Sequence, residues 1–197
     1  MADCDCAIEA RTKAERKTLI VVLTINAVMF FVEFSAGIIS ESTGLTADSL
    51  DMLADASVYG ISLFAIGRHM AIKQRAAFLS GVVQISLGLF VMVEVTRRTI
   101  VGSEPVSEII VVAAAIALVA NSACIVLLAK HRHGEVHLRA SWIFTTNDVI
   151  VNAGVILSGI LIWVTESHYP DLIVGLVVSA MVIKGGLRIL RESRHES

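Results

Sequence analysis

Six apolar runs separated by short polar connections make up most of this chain. They lie near residues 18–40, 47–67, 77–95, 108–129, 141–164 and 172–189. Each holds about the 20 residues that a helix needs to cross roughly 30 Å of hydrocarbon. The pattern predicts an all-α integral membrane protein, a bundle of six transmembrane helices. The two prolines, Pro105 and Pro170, fall between runs, where helix breakers belong. Short connections make successive helices antiparallel and leave no room for a second globular unit. The expected organisation is an N-terminal tail over residues 1–17, a six-helix membrane domain over 18–189 and a short C-terminal tail over 190–197.

Composition agrees with the pattern. Apolar residues make up 55% of the 197 positions, and the mean hydropathy of +0.76 is too high for a soluble domain of this size. The formal net charge is −2 and the basic residues form no continuous patch, so no nucleic-acid partner is expected. The lipid bilayer is the expected partner. Basic residues gather at alternate connections: Arg11, Lys13, Arg16 and Lys17 before the first run, Arg68, Lys73 and Arg75 after the second, Lys130, Arg132 and Arg139 after the fourth, and Lys184, Arg188, Arg191 and Arg194 at the end. The opposite side has Arg97 and Arg98 beside acidic Glu41, Glu104, Glu108, Glu166 and Asp171. The bias of Lys and Arg toward the cytoplasm then places both termini inside. No cleavable signal peptide is expected, because the apolar run after the charged lead is long enough to span. A bacterial-type inner membrane is the expected location.

Polar residues inside such runs are functional candidates, because lipid makes them costly. The second run carries Asp48, Asp51 and Asp55. At helical spacing these three share one face and repel one another, strongly so in a low dielectric. A cation must visit that face, and the runs offer no central Lys or Arg, which leaves a metal ion or protons. The fifth run carries Thr145, Thr146, Asn147, Asp148 and Asn152. Asp55 is thirteen residues from Arg68 and Asp148 is nine from Arg139, so the two carboxylates lie within about 6 Å of the same depth. Runs two and five, packed together, can close an oxygen-rich cage from Asp51, Asp55 and Asp148 with Asn147 or Asn152, enough for a divalent ion.

The remaining polar positions carry two readings each. Glu33 and Asn26 share a face of the first run and either line a pathway and relay protons or pair with Asn121 across helices. Asp48 is either a peripheral ligand or a guide for ions at the outer mouth. Cys4 and Cys6 form a capture point for metal or belong to a reduced tail, and His131, His133 and His137 either collect metal on a cytoplasmic loop or are solvated. Cys124 is expected to pack within its helix, and three cysteines make no disulfide framework.

The residues Asn26, Glu33, Gly37 and Ser40, the run LTADSLDMLADA and the later run LRASWIFTTNDVIVNAGVILSG together resemble the cation diffusion facilitator family. The resemblance covers essentially the whole membrane region. It implies a divalent-metal site with the second-helix pair on Asp51 and Asp55 and the fifth-helix aspartate on Asp148, and export of Zn²⁺ or related ions from the cytoplasm in exchange for protons. Two departures stand out. Four residues before Asp148, where the family usually has His or Asp, the chain has Phe144, which has no donor atom; Asn147, Asn152 and Thr145 are the nearby oxygen donors, and Asn152 has i,i+4 spacing with Asp148. Loss of an imidazole favours harder, oxygen-preferring ions, so Zn, Cd, Co and Mn all stay open as the transported substrate, with no permanently bound cofactor. The second departure is that the chain stops soon after the sixth run, so the family's cytoplasmic domain is expected to be missing, with a homodimer formed through the membrane domain. The alternative is a metal-binding sensor or partner subunit that transports nothing. No nucleophile with a base, no HExxH and no Gly-rich phosphate loop occurs, so an enzyme is not expected.

Overall fold

The structure, a computed structural model, describes residues 2–65, 70–129 and 136–195. Six α-helices account for nearly all of them: α1 (Ala2–Ile39), α2 (Thr43–Ala65), α3 (Met70–Val101), α4 (Ser107–Ala129), α5 (Val136–Thr165) and α6 (Tyr169–His195). No strand occurs among the described residues. Five helices contain stretches long and apolar enough to cross a membrane: Arg16–Ile39, Phe78–Val101, Ser107–Ala129, Thr145–Thr165 and Tyr169–Arg191. The sixth, α2, has 23 residues and carries the three aspartates. Its charge is accommodated by position, because α2 touches each of the other five helices. Bulky apolar side chains such as Phe31, Val93, Val119, Trp163 and Ile173 face outward, as lipid requires.

The helices overrun the apolar runs that announce them. α1 passes through the expected boundary at residue 17, α6 passes through that at 189, and α2 starts at Thr43 rather than 47. α3 extends to Val101, so Arg97 and Arg98 are helical rather than in a connection. Both pair with Glu94 one turn back on the same helix, Arg97 at 2.7 Å and Arg98 at 2.6 Å, which lets charged residues continue the helix. Pro170 lies in the first turn of α6 rather than between helices; a missing N–H costs nothing there.

The most extensive pairings are α3 with α6, α4 with α5 and α1 with α2. Glycines make the α3–α6 seam close. A Cβ on Gly186 would come within 2.9 Å of the Gly81 carbonyl oxygen, and one on Gly88 within 2.6 Å of Ile183 Cγ1. Leu45, Leu50, Ile110, Val155, Val178 and Val182 belong to the apolar core that joins the helices around α2.

At the end of the bundle distal to the termini, α1, α3 and α5 each stop at a residue with positive φ: Glu41, Gly102 and Glu166. The first two of these corners are tied together. Val106 N–H donates to Ser40 O at 3.0 Å, Glu104 N–H to the Glu41 carboxylate at 3.3 Å, and the Arg98 guanidinium to the Glu41 carbonyl.

Candidate metal site

The carboxylates of α2 descend one face of a central helix. Asp48 is fully buried, Asp51 is half-buried and Asp55 is 5% exposed. Across the bundle, α5 contributes Asp148, 1% exposed, and Asn152, fully buried. Asp148 interacts electrostatically with Asp51 and Asp48, and Asp55 with Asp148 and Asp51, so the four share one region. Direct packing of α2 on α5 produces that proximity, as the matching depths anticipate. Both Asp148 oxygens lack a hydrogen-bond partner. Among the described residues, no three His, Cys, Asp or Glu side chains converge tightly enough to hold an ion as they stand.

The amide and hydroxyl groups of α5 divide by face. Asn152 donates its side-chain N–H to the Asp148 carbonyl at 2.7 Å, leaving its Oδ1 unpartnered. Thr145 is fully buried with an unpartnered hydroxyl, on the same face as Asp148 at i+3. Asn147 is only half-buried, one residue off that face, which makes it a poorer donor than Asn152. The Cys124 thiol on α4 is buried and in electrostatic range of Asp148.

A second acidic pair lies beside the first set. Glu33 of α1 and Asp48 of α2 are both 0% exposed and face each other across the α1–α2 interface. None of their four oxygens meets a hydrogen-bond partner of good geometry. Two expectations change here. Asn121 does not pair with Glu33, since both of its amide atoms are unpartnered; helical periodicity names a face but not the neighbour opposite. Asp48 is fully buried rather than exposed at an outer mouth. Asn26 is buried as expected and donates to the Val22 carbonyl at 3.0 Å. His131 and His133 lie outside the described residues, as do the side chains of Cys4, Cys6, His137 and Phe144.

Buried polar groups in an apolar bundle need partners. Asn26, Glu33, Asp48, Asn121, Thr145, Asp148 and Asn152 all hold at least one buried polar atom without one. They come from α1, α2, α4 and α5. Unpartnered polar groups on four helices are costly in an apolar bundle, which makes this set a functional candidate. Asp171, which the sequence places among the exterior acids, is instead buried at the start of α2.

Residues 19–196 match the cation efflux transmembrane domain. The chain is 28% identical to the zinc transporter ZitB of Pectobacterium atrosepticum over 91% of its own length and 60% of that protein's. ZitB of Yersinia pestis is 25% identical over 91% of this chain and 62% of the relative. The cadmium, cobalt and zinc/H⁺–K⁺ antiporter of Bacillus subtilis is 21% identical over 92% of this chain and 63% of that protein. The chain therefore spans about three fifths of the length of these curated relatives. A match of that extent over all six helices makes this multi-pass membrane protein a member of the cation efflux transmembrane domain family.

Proposed function

We propose that this chain exports divalent transition-metal cations of the Zn, Cd and Co type from the cytoplasm, in exchange for protons, at a carboxylate site between α2 and α5. One observation carries the reading: buried carboxylates from both helices share one region, and the Asp148 oxygens have no partner. The chemistry follows from like charge. Crowded carboxylates in low dielectric are stabilised either by a divalent ion or by protons, so the two compete for Asp51, Asp55 and Asp148. With the site open to the cytoplasm the carboxylates release protons and take metal; with it open outward, protons displace the metal. Asn152 is the proposed fourth donor, and Glu33 with Asp48 the proposed relay on the distal side. The bias of basic residues supports a cytoplasmic position for the termini and the proximal end. A bacterial inner membrane and a homodimer formed through the membrane helices complete the proposal.

Metal uptake into proteoliposomes under an imposed pH gradient tests the reading, with Zn²⁺, Cd²⁺, Co²⁺ and Mn²⁺ screened separately. Gradient-dependent uptake of at least one ion is expected. Binding of every ion without flux would favour the sensor or partner role instead.

Phe144 supplies a gain-of-ligand prediction. An imidazole four residues before Asp148 lies one turn away on the same face and adds a nitrogen donor. Phe144→His is expected to tighten Zn²⁺ binding relative to Mn²⁺ by about tenfold, since imidazole suits zinc and carboxylate suits manganese. Competition titrations check the ratio; an unchanged ratio would place residue 144 away from the ion.

A further inference from the structure

One buried amide belongs to a helix outside the α2–α5 site. Asn121 of α4 is fully buried, and neither its Oδ1 nor its Nδ2 meets a hydrogen-bond partner among the described residues. Natural interiors rarely leave such groups unmet without a ligand or a function to account for them. Asn26 and Asn152 differ in this respect. Each donates its side-chain N–H to the carbonyl one turn back on its own helix, Asn26 to Val22 at 3.0 Å and Asn152 to Asp148 at 2.7 Å. Asn121 makes no such bond, so both ends of its amide are free to meet something else.

Its place along α4 puts that amide at the level of the carboxylates. The Val106 N–H donates to Ser40 O at 3.0 Å, so the starts of α4 and α2 stand side by side. From there Asn121 is about 21 Å down α4 and Asp55 about 18 Å down α2, while Asn152 is about 20 Å from the distal end of α5. One turn to the distal side of Asn121, Ala117 shares an apolar cluster with Met52, the residue after Asp51. To its proximal side, Cys124 lies in electrostatic range of Asp148. Residues 117, 121 and 124 are spaced i, i+4 and i+7 on one helix face, and all three are fully buried. The amide is thus bracketed by contacts to both halves of the candidate site.

We propose that Asn121 presents its carbonyl oxygen to the ion as a further donor from α4, and so decides whether the site accepts larger, oxygen-preferring ions such as Mn²⁺ beside Zn²⁺. The inference rests on the carboxylate site proposed above and names what that site selects. Asp51, Asp55, Asp148 and Asn152 already supply the tetrahedral number of donors that zinc takes in most of its sites. Manganese favours an octahedral shell of oxygens, so an added neutral oxygen matters far more to Mn²⁺ than to Zn²⁺. The Nδ2 of the same amide can donate to a ligand carboxylate and so hold the carbonyl toward the ion.

Equilibrium competition between Zn²⁺ and Mn²⁺ for the purified protein tests this without transport. Leucine has the branching of asparagine and no polar atom. Asn121→Leu is expected to weaken Mn²⁺ binding at least about tenfold and Zn²⁺ binding about twofold at most. Asn121→Asp keeps an oxygen at the position and is expected to bind Mn²⁺ at least as tightly as the unsubstituted protein. If Asn121→Leu fails to fold, Asn121→Ala removes the same polar atoms without added bulk and gives the same split. A Zn²⁺ to Mn²⁺ preference that stays within about twofold in the folded variant overturns the inference, as does an equal loss of both ions. Asp148→Ala separates this failure from that of the underlying site. Binding that is lost in Asp148→Ala but indifferent to residue 121 overturns the role of Asn121 alone. Binding that is absent in the unsubstituted protein, or unaltered in Asp148→Ala, overturns the carboxylate site and the inference with it.

Discussion

Asp148→Ala and Asp51→Ala are each expected to lower metal flux at least about 100-fold, equivalent to about 2.7 kcal/mol of lost interaction with the ion. The physical reason is donor count. Removing one carboxylate from a set of three leaves a divalent ion short of both charge and oxygen ligands in a low-dielectric bundle. Stability is expected to move the other way at Asp148. Both of its oxygens are buried without a hydrogen-bond partner, a state that costs about 1–3 kcal/mol. Alanine removes that cost, so metal-free Asp148→Ala is expected to melt at or above the temperature of the unsubstituted protein. Thermal unfolding in detergent beside flux in liposomes checks the pair of outcomes. Lost flux with a lowered melting temperature would mean that Asp148 supports the fold rather than the ion, a structural role opposed to the one proposed.

Gly186→Val is expected to destabilise the bundle by about 1–3 kcal/mol, the usual cost of forcing bulk into a packed seam. The expectation rests on what stands in the way. A Cβ at 186 meets Ile85 Cγ1 at 2.8 Å, Gly81 O at 2.9 Å and Ile85 N at 3.1 Å. The isoleucine tip can swing aside, but the two backbone atoms cannot, so α3 and α6 must separate. Gly154→Ala is the matched control, because a Cβ there meets nothing within 4 Å; a helix-interior alanine is expected to stabilise by about 0.5–1 kcal/mol. Equal melting temperatures for the two variants would show that the α3–α6 seam tolerates bulk and has no part in holding the bundle closed.

How much of this was legible in the sequence depends on the kind of feature. The six helices and the membrane class follow from run length and apolar content, because lipid allows few other solutions for a spanning chain. Helix ends do not follow, since apolarity marks where lipid stops and not where hydrogen bonding stops. Arg97 and Arg98 continue α3 by pairing with Glu94, and the charged lead of α1 is helical from Ala2. Asp51, Asp55 and Asp148 stand out in sequence because a carboxylate in an apolar run is conspicuous on its own, and the concentration of polar residues in runs two and five at matching depth points to α2 beside α5, which pack together. The partner of Glu33 was not legible. Its face was correct, yet Asp48 rather than Asn121 lies opposite, and only the packing of α1 on α2 decides that.

Asp171 marks the limit most clearly. Ser42, Thr43 and Gly44 just before an apolar run are a readable helix start, with Ser42 as the capping residue. The carboxylate that completes the cap lies 128 positions away from Thr43. Nothing local in either segment connects them, and beside Pro170 the residue reads as one more acid outside the membrane.

X-ray absorption at the metal edge of the Zn²⁺-loaded protein tests the central claim most directly, because it reports the atoms bound to the ion. The account predicts a shell of oxygen or nitrogen donors only, at about 2.0–2.2 Å, that is lost in Asp148→Ala. A sulfur shell at about 2.3 Å that persists in that variant would contradict it and move the site to Cys4, Cys6 or Cys124.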